Sequence, residues 1–347
     1  MTIQGGGEPE PTPQFFVCDL FDVTWKGDMA SMEHPIFSLS TKPDHRLLRY
    51  ENGPSYVEIQ PSYRGLATIH DRDLLIYCIS QLMAALNAGR EVFPVLRFHA
   101  KEMLKATNRQ TSGEGYADLK ASLERLRGTQ IVTNIVTGGV EQYNVFGLID
   151  KAETIRETRD GRMQMVEIRL SDWVYNAVVN REVLTLHPDY FLLRRPLERR
   201  IYELARKHCG RNPEWRMPLA TLQEKCGSGS ASREFRRMVR EIVKKDIVTS
   251  HMPDYAITLD KGDMVVFRNR DTMPKLPKAA QADNGPTVPP LDAETYHDAR
   301  IAAPGWDVYF IEKEWRDFIA MTGMPPTNPD LAFIGFCRKW YEKRGVP

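Results

Sequence analysis

Cysteine is sparse and scattered: Cys18, Cys78, Cys209, Cys226 and Cys337, odd in number and with no Cys-x-x-Cys pair in 347 residues. That usage excludes a disulfide framework and a zinc finger, and it fits reduced thiols in a cytoplasmic protein. Among the eight histidines, His34, His45, His70, His99 and His187 included, no two flank a single apolar residue. A metal-dependent tyrosine nuclease would need such a pair. No Gly-x-x-x-x-Gly-Lys-Ser/Thr loop is there to cradle phosphates, and Gly5-Gly-Gly belongs to a tail with Pro9, Pro11 and Pro13. No apolar run approaches the roughly 20 residues that cross a bilayer. No basic stretch leads into an apolar one at the start, so a signal peptide is not expected. Net charge is only +1, so any affinity for nucleic acid must be local. No catalytic residue, metal, cofactor or membrane partner is expected.

Positive charge is in fact concentrated. From Arg194 to Lys245 fifteen lysines and arginines stand against six acidic residues. Within that window Phe235, Met238, Val239, Ile242 and Val243 recur at spacings of three and four, the buried stripe of a helix. Arg233, Arg236, Arg237, Arg240 and Lys244 fall mainly on the opposite face. Ser230 or Ser232 stands where an N-cap belongs. Ile247-Val-Thr-Ser250 then turns to strand chemistry. An arginine-studded helix running into a hairpin is the pattern of a DNA-reading helix in a winged helix-turn-helix.

The stretch has a twin. Aligning Leu119–Asn134 with Phe235–Ser250 brings apolar onto apolar at Leu119/Phe235, Leu123/Val239, Leu126/Ile242 and Ile131/Ile247. The preceding pieces match too: Leu74–Tyr77 with Glu198–Tyr202, Phe93–Phe98 with Trp215–Pro218, and Lys101–Lys105 with Ala220–Glu224. Each half reads helix, strand, helix, helix, strand-turn-strand, an α+β fold of two tandem winged-helix domains. In the first half, Asp71 is the N-cap of a helix with Leu75, Ile79, Leu82 and Leu86 buried. A helix over 100–107 and one over 116–127 follow, then a wing of Ile131–Val136, a Gly138-Gly139 turn and Tyr143–Phe146. A second hairpin turns at Asp160-Gly161, and Ser171 caps a short helix over 172–179. In the second half a helix runs from Pro196 to Gly210, and Ile257–Phe267 forms a wing turning at Asp260-Lys-Gly-Asp263.

The domain reading is a disordered tail over 1–30, a first winged-helix domain over 31–180 and a second over 181–270. Strands at Ile36–Leu39 and Tyr56–Ile59 extend the first. A Pro-rich linker spans 271–300 and a helical appendage 301–347, two helices parted by Pro325–Pro329. Two tempting sites have blander readings. His70-Asp-Arg-Asp73 is explained by helix capping rather than by a catalytic carboxylate pair. Ser228–Ser232 is a turn rather than a nucleotide cradle, although its free N–H groups suit a DNA phosphate.

Gly65–Met83, Met32–Leu39, Tyr143–Asp150 and Tyr190–Tyr202 resemble the plasmid replication initiator protein A family of bacteria, over about residues 31–268. Ala303–Trp340 resembles an appendage on many members. The resemblance implies tandem winged helices that bind repeated sites in double-stranded plasmid origin DNA, open the duplex and recruit host initiator and replicative helicase machinery. Homodimers that repress their own gene are common among winged-helix initiators. A repressor without a replication role, and a protein-binding scaffold, are the alternative readings.

In a helix-turn-helix the N-terminal part of the second helix reaches base edges. That places Ser230, Ser232, Arg233, Arg236 and Arg237 at the groove, arginine being suited to paired contacts with guanine. Arg240, Lys244 and Lys245 lie where phosphates pass, with Lys261 and Arg268 on the hairpin. The first-half equivalents are Arg109, Gln110, Thr111, Ser112, Lys120 and Arg127. That helix also carries Asp118 and Glu124, so the second half is expected to supply more of the affinity.

Overall fold

Apolar and β-branched residues alternate through most of the strands, and three-four spacing marks the helices. The computed structural model describes residues 15–20, 23–52, 55–137, 140–156, 163–273, 291–322 and 326–345. Residues 1–273 form one compact unit and residues 274–347 another. Of the tail expected to be disordered over 1–30, residues 1–14 and 21–22 lie outside the described residues, whereas Phe16–Val17 and Lys26–Asp28 are strands. The Gly138-Gly139 and Asp160-Gly161 turns and residues 274–290 also lie outside the described residues.

The first unit begins with β1 (Phe16–Val17), β2 (Lys26–Asp28), α1 (Met29–Glu33), β3 (Leu48–Asn52) and β4 (Ser55–Gln60). It continues with α2 (Arg72–Asn87), β5 (Val95–His99), α3 (Ala100–Ala106), α4 (Gly113–Gly128), β6 (Gln130–Thr137) and β7 (Val140–Gly147). Next come β8 (Ile149–Arg156), β9 (Met163–Leu170), α5 (Asp172–Val179), β10 (Val183–Thr185) and a 3-10 turn over Pro188–Leu192. The second half is α6 (Pro196–His208), β11 (Glu214–Pro218), α7 (Leu219–Cys226), α8 (Ser232–Thr249), β12 (Tyr255–Leu259) and β13 (Met264–Asn269).

The helix-strand-helix-helix order therefore recurs, α2-β5-α3-α4 against α6-β11-α7-α8. The hairpin that completes it differs from expectation. In the second half β11 pairs with β13, which pairs with β12. In the first half β5 pairs with β9, which pairs with β8. So β8-β9 is the counterpart of β12-β13. The β6-β7 hairpin, expected as the first wing, joins β3 and β4 in a separate sheet of order β3-β4-β6-β7, with Ile59 opposite Ile131. Both hairpins have the same period-two pattern, so pattern alone cannot say which sheet each one enters.

Four local expectations are corrected. Ile247-Val-Thr249 stays helical; α8 ends at Ser250, which takes left-handed φ 49°. Its last turn is pinned because the buried Asp246 carboxylate accepts from the Met252 and Ile257 N–H groups and is gripped by Arg270 at 2.8 Å. That anchor overrides the strand preference of three β-branched residues, Ile247, Val248 and Thr249, which are left exposed. Ile36–Leu39 is not a strand; only Ser38 bridges to Thr68. Asp71 stands at the N-cap of α2 without capping it, because its carboxylate accepts from the Thr68 N–H and from Arg125 at 2.7 Å. Ser171 likewise precedes α5 but donates its hydroxyl to the Leu148 carbonyl.

Helix α2 is buried almost all round, as a helix central to a core must be. Leu74, Leu75, Ile79 and Leu82 pack with Phe98, Leu119 and Leu126 in the first core, whereas Ile76 joins Ile201, Phe235, Val239 and Phe267 in the second. The polar groups between the halves are as buried as the apolar ones. Arg72, fully buried, pairs with Glu203 and with Asp28 at 3.6 Å. Arg199 pairs with Asp73, and Arg200 donates to the Ser31, Met32 and Glu33 carbonyls and to Lys225 O. Burial disfavours the charge on Arg72, but Glu203 and Asp28 outweigh it and raise its pKa. Losing one partner of such a pair costs about 3–5 kcal/mol, because the other charge is stranded.

In the second unit, α9 (Ala293–Ala302), α10 (Val308–Thr322) and α11 (Pro329–Arg344) surround Ile311, Trp315, Phe333, Cys337 and Trp340. Helix α9 occupies the end of the stretch expected to be linker. Asp330 holds it by accepting from the Asp292 N–H and the Thr295 hydroxyl.

Candidate nucleic-acid interface

Helix α7 ends at Gly227 with φ +66°, where an added Cβ would sit 2.7 Å from the Tyr50 hydroxyl and 2.8 Å from Pro35. Glycine is required there, and it turns the chain into Ser228–Ala231. The Gln223 amide holds that turn by donating to the Ser230 carbonyl at 2.6 Å. The N-cap of α8 is Ala231, not Ser230 or Ser232. The two serines fall one residue either side, and Ser230 spends its hydroxyl on Ser228 at 2.9 Å. No side chain caps α8, so its first N–H groups keep their donor capacity and the positive end of the helix dipole.

Phe235, Val239 and Ile242 are buried as expected, and Met238 and Val243 are partly buried. Along the opposite side Arg233, Arg237, Arg240 and Lys244 follow at helical spacing. Arg233, Arg240 and Lys244 are exposed and form no ion pair among the described residues. Arg237 is engaged by Glu234 at 2.6 Å and by Glu241. Arg236 pairs with Asp263 in the β12-β13 turn, tying the helix to the hairpin. Lys245 reaches back to the buried Glu198 of α6 at 3.3 Å. Surface pairs such as those of Arg236 and Arg237 are worth roughly 0–1 kcal/mol, so a phosphate could take over either arginine at little cost.

Arg240, Lys244 and Lys261 come together with Val243, Ile247, Val248, Leu259 and Asp260 around a groove of about 390 Å³ between α8 and the hairpin turn. Asp260 fixes that turn by accepting from the Gly262 and Met264 N–H groups at 2.9 Å. Arg268 is not part of the group. It lies toward the far end of β13 from the turn and pairs with Glu214 at 2.9 Å.

The first-half candidates are arranged differently. The turn between α3 and α4 uses Asn108 at φ 55° and a close approach at Gly115, whose Cβ would lie 1.9 Å from the Gln110 carbonyl oxygen. Gln110, Thr111, Ser112, Lys120 and Arg127 are exposed. Arg109 is not; it is half-buried, and its Nη1 is shielded without a hydrogen-bond partner among the described residues. Its charge acts on the interior. Burial first, then Arg199 and Arg109, hold the His70 imidazole down to about 4. Glu124 is taken by Arg64 at 2.7 Å and by the Tyr63 hydroxyl.

Sequence reasoning missed Arg46 and Arg195, which with Ser228–Ser230 and Arg237 line a cleft of about 530 Å³ at the start of α8. Arg46 comes from a distant loop, held by Asp44 at 2.7 Å, and no local pattern announces it. Among the described residues no cluster of histidine, cysteine or acidic side chains could hold a metal, and no helix is long and apolar enough to cross a membrane.

In fold, the chain is similar to domains 2 and 3 of RctB. One solved structure of those domains aligns with a TM-score of 0.50 at 12% identity, over 70% of this chain and 98% of that one. A second gives 0.48 at 15% identity, over 70% and 97%. In sequence, residues 26–257 match the model of the replication initiator protein A family. The chain is also 35% identical over 263 residues to a Wigglesworthia glossinidia brevipalpis protein named as a replication protein, covering 74% of this chain and 94% of that protein. The chain belongs to the replication initiator protein A family.

Proposed function

We propose that this protein starts plasmid replication by binding repeated duplex sites at an origin through two winged-helix modules, opening the duplex and recruiting the host initiator and helicase machinery. The modules are α2-β5-α3-α4 with β8-β9 as wing, and α6-β11-α7-α8 with β12-β13 as wing. The observation that carries the reading is the α8 face: Arg233, Arg240 and Lys244 exposed and without an ion pair among the described residues, beside an uncapped helix start and the Lys261 turn. Ser232, Arg233, Arg236 and Arg237 address base edges. Arg240, Lys244 and Lys261 address phosphates, and Lys245 does so on leaving Glu198. Gln110, Thr111, Ser112, Lys120 and Arg127 serve the first module. Family membership supports the replication role.

A gel shift with the DNA flanking the gene tests it. Binding to a discrete repeat is expected, weakening on the order of 10³-fold or more between 50 and 200 mM salt if both modules touch phosphates. No retained complex at low salt, or a salt-independent one, would count against the reading.

A further inference from the structure

We infer that the groove between α10 and α11 in the second unit is a docking site for an acidic amphipathic helix of a partner protein. The inference is independent of how α8 is used. The groove encloses about 560 Å³ and is floored by Trp315, Ile319, Ala332, Phe336 and Trp340, with Phe318 at its wall. Its rim carries Lys339, Lys343 and Arg344, and among the described residues no carboxylate lines it. All three cations are exposed and none has an ion pair among the described residues; Arg344 lies over the Trp340 ring at 3.7 Å. An all-apolar floor with an all-cationic rim is complementary to a helix carrying apolar anchors on one side and acids beside them.

A second observation points to an occupant. Gly335 stands in the middle of α11, where glycine is disfavoured relative to alanine. Among the described residues nothing explains it, because an added Cβ would meet none of their atoms within 4 Å. Gly335 lines the groove, and no described residue fills the space above it. A missing side chain at the floor of a groove is a hole for a large apolar knob from outside. A nucleic-acid strand would use the cations but leave the hole and the apolar floor unfilled, so a protein helix fits better.

The test selects a display library of short helical peptides on the full-length chain and measures the enriched peptides by fluorescence anisotropy. Glu- or Asp-rich sequences with Leu, Phe or Trp at three-four spacing are expected. Gly335→Leu puts a side chain into the hole, its Cβ meeting no described atom within 4 Å, and its thermal midpoint should be no lower than wild type. Its peptide affinity should fall at least about tenfold, as should that of Lys339→Glu with Lys343→Glu. Enriched peptides without acids, no enrichment, or equal binding by Gly335→Leu would overturn the inference. So would a charge-reversed variant that keeps the peptide but loses duplex DNA.

Discussion

Helices α4 and α8 of the first unit have the same architecture around them and different surfaces. Helix α8 carries six basic residues against three acidic, and α4 carries three of each. On α8, three of the cations, Arg233, Arg240 and Lys244, are exposed and have no ion pair among the described residues. On α4, Arg125 is committed to Asp71 and Glu124 is covered by Arg64, while Arg109 of the preceding turn is drawn toward the internal charge cluster. A shared backbone plan thus leaves one helix with a charged face and the other nearly neutral. The comparison teaches that repetition of a fold unit does not repeat its electrostatics, which are settled by a handful of partners from elsewhere in the chain.

The comparison can be broken first through what joins the halves. Glu203→Ala leaves the fully buried Arg72 without its nearest carboxylate and should cost about 3–5 kcal/mol in urea unfolding. Loss of both halves in one transition is expected; two separated transitions would show that the modules are independent after all. Next, Arg233→Ala should weaken specific duplex binding by about 1–3 kcal/mol, and Arg240→Ala should weaken binding to all duplexes alike and lower the salt slope by about 1. Lys120→Ala and Arg127→Ala should cost less than about 1 kcal/mol each, in the range of single exposed charges. Equal losses in both modules, measured by anisotropy with folding checked by circular dichroism, would erase the asymmetry.

Acid sharpens the comparison at the junction. Burial alone would raise the Glu33 pKa, but Lys225, Lys207 and His208 outweigh it and hold the carboxyl down at about 2. Its contribution is therefore complete above the unfolded-state value near 4.5 and lost as pH falls from there through about 2. Glu33→Gln should flatten the decline of stability below pH 4.5; an unchanged acid profile would mean this contact does not hold α1 to α6 and α7. The smallest effect concerns Arg237. Glu241→Gln removes one of its two carboxylate partners and should tighten DNA binding by up to about 1 kcal/mol. Weaker binding would show that Glu241 orients Arg237 rather than competing for it.

Much of this was legible in the sequence for physical reasons. Helical spacing at Phe235, Val239 and Ile242 located α8 and its solvent face, and Pro196 and Gly210 mark the real ends of α6. What failed depended on distant partners. Nothing local distinguishes β6-β7 from β8-β9, because sheet membership is decided by the strands each meets. The fifteen cations of the Arg194–Lys245 window overstate the surface charge, since Arg199 and Arg200 are internal. Ile247 and Val248 read as a strand until Asp246 anchors the last helical turn. Arg109 read as a DNA contact, yet it is half-buried and acts on Asp73 of α2.

The central claim is that α8 presents its cationic face to a duplex. A photoreactive residue placed at position 233 of the full-length chain, irradiated on a duplex enriched from a random pool, tests this directly. The account expects adducts on bases within the enriched motif, with weaker or no adducts from position 268. Adducts from 268 and none from 233 would contradict it.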